Sequence, residues 1–340
     1  MVGFTRQDKV SIHSIAIAAG TSVGTVSNVI NHPERVRPQL KERVEKVMRE
    51  KHFWPDPTAR ALKIGRSPLV GTVFFDISNP FFAESAHEID KRMQMRGSSM
   101  IVAGTEQIAE REEHVLESLE VMGADGIIVT STGSCWEGLA RFRDRGVPVI
   151  LFAQRSLDER FEAVGIDDYS GMRKIAQHLV SRGMSRFCFI NDEIRATQHM
   201  DRWRGFCDEL VDAGMDPEEV RVESVYGATW AVGYQRVQAV LELPSRQWPE
   251  CVVCLNDYIA MGASKAIADR GLRVGHDISV TGFDDVPYAS VFSTPLTTVR
   301  QPIPEMCRYI TDQILDAVEC CDDAVAGKTF DAELVIRESA

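Results

Sequence analysis

The chain has 340 residues, of which 44% are hydrophobic and 26% charged, with eight cysteines and a formal net charge of −12 at pH 7. These proportions suit one small unit plus one or two larger globular domains, and they are ordinary for a soluble protein with a sizeable core. No apolar run nears the roughly 20 residues that span a bilayer. The N-terminal MVGFTRQDKVS lacks the apolar core of a secretory signal, and the scattered cysteines suit reduced thiols rather than a disulfide framework.

The net charge is unevenly spread. Residues 1–66 hold 12 Lys/Arg against 6 Asp/Glu, a net of +6, whereas the remainder holds 26 against 44, a net of −18. A basic module joined to an acidic body is the electrostatic footprint of contact with nucleic acid.

Residues 11–31 read SIHSIAIAAGTSVGTVSNVIN. Ser11 can cap a short helix that carries Ile12, Ile15, Ala16 and Ala19 on one face, and Gly20 ends it cheaply because it has no Cβ to clash at positive φ. Ser22 is placed to cap a second helix over 23–30, with Val26, Val29 and Ile30 turned inward and Val23, Gly24, Thr25, Ser27 and Asn28 outward. Two short helices around a tight turn fit a helix-turn-helix whose second helix enters a major groove. An ordinary helical hairpin in a core fits the same residues.

Pro38 then sits at the first position of a third helix, with Leu40, Val44, Val47 and Met48 forming its apolar stripe. Asp56 and Pro57 can start a helix of about two turns that is too short to stand alone in water and forms only when packed on something. From Leu69 the pattern changes to short apolar strands alternating with helices. Strands are predicted at 70–75, 99–103, 126–129 and 148–152, with helices at 82–96, 108–122 and 136–145 between them. A second series follows, with strands at 186–190, 220–224, 251–255 and 278–282 and helices at 202–213, 231–243 and 258–270. This alternation implies two α/β lobes with parallel sheets, and ligands of such sheets bind beyond the carboxyl ends of the strands.

Other chemistry finds no support in the spacing. Cys251-Val-Val-Cys254 has zinc-like spacing but lies in a predicted strand without a second pair, so no metal is expected. His87-Glu88 lacks the second histidine of a metalloprotease helix, and there is neither a dinucleotide fingerprint nor a phosphate loop. No nucleophile, base and orienting group assemble, so no catalytic residues and no cofactor are expected.

Taken together, these residues resemble the lactose/galactose repressor (LacI/GalR) family of bacterial transcription regulators. The head matches at Ile12, Ala16, Ala19-Gly20, Ser22, Thr25-Val26-Ser27 and Asn31, and the linker at Pro55, Ala59, Leu62 and Gly65-Arg66-Ser67. The body matches at Asn79-Pro80-Phe81-Phe82, Arg202, Gly205-Phe206, Asn256-Asp257, Gly282-Phe283-Asp284-Asp285, Leu296-Thr297-Thr298-Val299 and Glu333-Leu334-Val335-Ile336-Arg337. The resemblance implies a small all-α helix-turn-helix headpiece over 1–52, a linker with a hinge helix over 53–67, and over 68–340 a two-lobed α/β body like a periplasmic binding protein.

It implies further that the protein is a cytoplasmic, nucleoid-associated homodimer and not an enzyme. It would bind a pseudo-palindromic double-stranded DNA operator with an affinity set by a small polar effector such as a sugar. A transport-type solute-binding protein is the alternative, but that reading predicts a signal peptide and no basic head. A sugar- or nucleotide-processing enzyme would need a catalytic set in the cleft.

Carried over residue by residue, Val23 would touch a thymine methyl, and Asn28 would read an adenine or contact phosphate, while Gly24 leaves one side-chain contact missing. Thr25, Ser27 and Asn31 would hold phosphates, and Ser22 either does so too or only caps its helix. Ala59 and Leu62 would meet the minor groove, with Leu62 as a wedge between base pairs. In the cleft, Phe81 and Phe82 would pack against effector, and Arg202, Asn256 and Asp284 would bond its oxygens, with Gln154 and Trp230 as further candidates.

Overall fold

The structure is a computed structural model and describes residues 11–31, 36–51, 53, 69–192 and 196–340. The chain divides into two compact units, Met1–Ser67 and Pro68–Ala340.

In the first unit three helices form a head: α1 (Ile12–Ala18), α2 (Val23–Asn31) and α3 (Pro38–Glu50). Local chemistry sets their ends. The Ser11 side chain accepts from the Ser14 N–H while the Ser14 hydroxyl accepts from the Ser11 N–H, so the two serines satisfy each other's orphan donors. Gly20 takes φ +59°, and its neighbour Thr21 returns an N–H to the Ala16 carbonyl. Ile15, Ala16, Ala19, Val26, Val29 and Val44 are buried together. One expectation is corrected here: Val23 is half-buried against this core rather than turned fully outward, because it lies one turn before Val26 on the same helix. The side chains of Ile30 and Asn31, and the whole of Ala59 and Leu62, lie outside the described residues.

The second unit runs β1 (Leu69–Phe74), α4 (Pro80–Met95), β2 (Ser99–Gly104), α5 (Ala109–Met122), β3 (Gly126–Val129), α6 (Trp136–Asp144), β4 (Val149–Phe152) and β5 (Glu162–Ile166). It continues through α7 (Asp168–Ser181), β6 (Phe187–Asp192), α8 (Thr197–Asp212), β7 (Arg221–Val225), α9 (Trp230–Leu241), β8 (Cys251–Cys254), α10 (Asp257–Asp269) and β9 (Ser279–Thr281). Its last elements are β10 (Thr298–Arg300), α11 (Ile303–Cys320), β11 (Lys328–Phe330) and β12 (Glu333–Val335).

Two parallel sheets define two lobes. The first has the order β11-β5-β4-β3-β1-β2 and the second β7-β6-β8-β9, while β10 and β12 pair antiparallel. The chain passes between lobes after β5, between β10 and α11, and between β11 and β12. Continuous apolar runs such as Ile127-Ile128-Val129 and Val149–Phe152 are buried throughout, as expected of strands covered by helices on both faces. Among the described residues no helix is long and apolar enough to cross a membrane.

The elements that spacing misses are those that tie the lobes together. β5 opens on Glu162, and its Gly165 lets the Gln154 backbone come to 3.2 Å of where a Cβ would stand. β10, β11 and β12 have only three residues each. Such runs carry no resolvable period. α11 does carry helical spacing at Ile303, Met306, Cys307, Ile310 and Ile314, but nothing in that spacing says that it returns to pack on the first lobe.

Candidate functional site

The exposed face of α2 is built by its cap. Ser22 Oγ accepts the Thr25 N–H at 3.1 Å and lies 3.0 Å from the Thr25 hydroxyl, so the serine is already committed to the helix. Ser22→Ala is therefore expected to destabilise the head by about 1 kcal/mol, read as a lower melting temperature of that transition. Gly24 and Asn28 are exposed one turn apart, with Thr25 and Ser27 half-buried beside them. Asn31 ends the helix. The face is small, polar and free of carboxylates, which suits close approach to a phosphate-lined groove.

A second site lies between the lobes. A pocket there is lined from the first lobe by Phe75, Asp76, Asn79, Phe81, Phe82, Gln107 and Ala153. The other lobe and the crossover segments supply Gln198, His199, Arg202, Ala228, Asn256, Asp284 and Gln301. Most of these follow the carboxyl ends of strands, where the sheet stops and its side chains converge. Gln107 (φ 60°), Ala153 (φ 55°) and Asp284 (φ 121°) hold left-handed backbone without being glycine. Such strain persists only where surrounding structure enforces it, and it gathers at binding sites.

The first-lobe wall is aromatic. Phe82 stacks on Phe74 with ring centroids 5.0 Å apart, and Phe81 stacks on Phe152 at 6.1 Å. Although adjacent in sequence, both phenylalanines reach the pocket, because the turn into α4 starts between Asn79 and Phe81, where Asn79 Oδ1 accepts the Phe81 N–H.

The opposite wall is a buried ionic cluster. Arg202 Nε donates to Asp168 Oδ1 at 2.7 Å, its Nη1 donates to the Leu255 carbonyl at 2.8 Å, and its Nη2 lies 3.6 Å from Asp284 Oδ1. The guanidinium carbon lies 3.7 Å from the centroid of the Phe283 ring. One cation thus serves two carboxylates that have left water. Burial raises the Asp168 carboxyl to about 6 against the opposing pull of Arg202. It also raises Asp284, and it raises Asp257 further, with the Asp284 charge adding to the shift. Asn256 Oδ1 accepts the Ile259 N–H, capping α10, and Gln301 Nε2 donates to Asp284 Oδ1 at 2.8 Å.

Three contacts cross the cleft beside the pocket. Gln107 Nε2 donates to Asp192 Oδ2 at 3.2 Å, Arg155 Nε to Asp201 Oδ2 at 2.6 Å, and the Thr197 hydroxyl to the Arg155 carbonyl at 3.2 Å. The lobes are closed on one another.

Of the residues expected in the cleft, Phe81, Phe82, Arg202, Asn256 and Asp284 come together. Two do not line the pocket. Gln154 is buried with its Oε1 accepting the Ser131 N–H, and Ala153 before it faces the pocket instead. Trp230 opens α9 at 45% exposure, while Ala228 provides the lining from that segment. Asp76, Asn79, Gln107, Gln198, His199, Gln301 and the supporting Asp168 were missed. For Asp76 and Gln107 the signal was available, since both follow predicted strands. For Gln301 it was not, because three-residue β10 leaves no trace in the pattern.

Cys251 and Cys254 are buried in β8 with thiols raised by burial, and among the described residues no group of three His, Cys, Asp or Glu could hold a metal ion.

Comparison with known proteins places this geometry. Residues 11–56 match the model of bacterial regulatory proteins of the lacI family, and residues 176–340 match that of a periplasmic binding protein-like domain. The chain is 31% identical over 301 residues to the HTH-type transcriptional regulator DegA of Bacillus subtilis, covering 88% of each chain. Its fold is that of the Lac repressor dimer bound to operator and an anti-inducer (TM-score 0.77, 24% identity, 98% of this chain and 99% of that one). The transcriptional regulator CelR–cellobiose complex also shares it (TM-score 0.68, 24% identity, 97% and 100%). The chain belongs to the lacI family of bacterial regulatory proteins. It is a DNA-binding transcriptional regulator with an N-terminal helix-turn-helix and an α/β effector-binding domain.

Proposed function

We propose that the protein is a homodimeric repressor, acting in the cytoplasm, whose grip on a pseudo-palindromic operator is set by a small polar effector held between the lobes. The observation that carries this reading is the pocket: an aromatic wall faces buried amides and carboxylates, the pairing that suits the apolar face and the hydroxyls of a sugar. CelR, which shares the fold, holds cellobiose in its complex.

On this reading Asn28 of α2 reads an adenine or contacts phosphate, the half-buried Val23 touches a thymine methyl, Gly24 leaves one side-chain contact missing, and Thr25, Ser27 and Asn31 hold the backbone, with Ser22 either joining them or only capping its helix. Residues 1–52 are the reading head, 53–67 the linker that sets Ala59 and Leu62 against the minor groove, and 68–340 the sensor. Two copies place two heads on adjacent half-sites. Pairing of the bodies draws support from apolar side chains left exposed on edge strands, Val102 of β2 and Val222 of β7, with Tyr226 just beyond β7. An effector that fits only the closed cleft shifts the dimer towards that form and changes its DNA affinity by at most as much as it discriminates between the two.

The test is salt. Phosphate contacts from the basic residues 1–66, net +6, should make operator affinity fall by a factor of about 10³–10⁵ between 50 and 200 mM salt, read by fluorescence anisotropy. A complex insensitive to salt would contradict this docking.

A further inference from the structure

The contacts that cross the cleft stand apart from the pocket. Arg155, Asp192, Thr197 and Asp201 make them without lining it, and only Gln107 does both. Arg155 is held twice by α8. Its guanidinium meets Asp201, with Nε 2.6 Å from Oδ2 and Nη2 3.5 Å from Oδ1, while its carbonyl accepts the Thr197 hydroxyl. Thr197 and Asp201 are four residues apart and so share one face of the helix. On the first-lobe side the chain is firmly set. The Ala153 N–H donates to the Val164 carbonyl at 2.7 Å, and Gln154 Oε1 accepts the Ser131 N–H. At the other contact, Glu106 (φ 51°) and Gln107 (φ 60°) are successive non-glycine residues in left-handed backbone, a strain that needs outside contacts to hold it.

We propose that Arg155 and Asp201 are positioning residues that latch the rim of the cleft, set how far the lobes rest closed, and through that set operator affinity. The inference rests on the DNA-binding reading above and goes beyond it. Both halves of the pair belong to the chain, so it weights the closed form by its own free energy, separately from anything an effector adds. The pair is placed to act between lobes rather than within one. Arg204 Nη2, on the same helix, lies 3.2 Å from Asp201 Oδ1, so Asp201 keeps a counter-charge inside its own lobe when Arg155 lets go. The Arg155 side chain is 48% exposed and can return to water. Opening therefore breaks a bond across the cleft without leaving a buried charge alone. The latch also has a path inward. Arg202 follows Asp201 on α8 and bonds Asp168 at the start of α7, the helix that follows the first crossover between lobes.

The test uses the full-length protein with no sugar added and the duplex that the wild type selects from its source genome. Small-angle X-ray scattering reads the opening of the lobes, fluorescence anisotropy the affinity and circular dichroism the fold. Arg155→Asp sets two carboxylates against each other, and Asp201→Arg sets two guanidinium groups. Each should raise the radius of gyration and move affinity for the duplex at least threefold, both in the same direction. The two substitutions in one chain remake the pair with its charges exchanged. That double variant should return to the wild-type radius and to within twofold of the wild-type affinity, which loss of a merely structural contact would not allow. Wild-type scattering from the folded single variants overturns the latch, and so does a double variant no better than they are. Opening with unchanged affinity overturns its control of DNA binding. If the single variants fail to fold, Arg155→Ala replaces them with the same expected changes. Failure to select any duplex counts against the proposed function instead, and scattering then decides the latch alone.

Discussion

Arg202→Met is expected to cost the sensor about 3–5 kcal/mol at pH 8, because it leaves Asp168 and Asp284 buried without their shared counter-charge. Arg202 is 5% exposed, so water does not replace what the guanidinium supplied. The loss should depend on pH, and its sign follows from the carboxyls. Asp168 holds its proton to about pH 6 in the folded protein, above the roughly 3.9 of a free aspartate. A group raised in this way supports folding below its unfolded value and loses that support as pH rises through the folded one. Without Arg202 the carboxyls keep their protons higher still, so the deficit is large at pH 8 and small at pH 5. Arg202→Lys should restore little, since one ammonium cannot reach Asp168 and the Leu255 carbonyl together while lying flat on Phe283. Urea unfolding at both pH values measures the difference. An equal loss at pH 5 and pH 8, or one below about 1 kcal/mol, would show that the cluster is not ionic as described.

The second large effect concerns the head. Gly24→Glu combined with Asn28→Glu should lower operator affinity about 100-fold or more while leaving the head folded, since each like-charge juxtaposition with phosphate costs on the order of a kcal/mol or more. Both positions are exposed on α2. A Cβ at Gly24 meets only Ser22 Oγ at 3.7 Å, an ordinary contact, so a side chain fits there without rearrangement. Anisotropy with operator DNA reads the affinity, and circular dichroism checks the helices. Binding within about threefold of wild type would move the DNA face to another surface.

The residues that bury apolar stripes were the legible ones. Ser11, Gly20, Ser22 and Pro38 mark helix ends through local chemistry alone, and each end lies where that chemistry puts it. Strands such as β3 and β4 announce themselves because parallel strands covered on both faces are unbroken apolar runs. The five expected residues that do meet in the pocket were found from the resemblance and from the rule of strand ends together. Gln154 shows the limit of that rule. It stands in the right place in sequence, but Ala153 at φ 55° turns the chain so that the glutamine reaches Ser131 instead. Asp168 was hidden for a different reason. It begins α7, far in sequence from Arg202 on α8, and only the packing of those two helices on one another brings the two within 2.7 Å.

The most direct measurement is selection of DNA fragments from the source genome by the full-length protein in dilute buffer, with and without a neutral sugar that stabilises it. Enrichment of one inverted-repeat duplex is expected, with an affinity that changes at least tenfold when that sugar is added. Failure to enrich any duplex, or an enriched duplex whose affinity ignores the sugar, would contradict the coupling of a basic reading head to an acidic sensor.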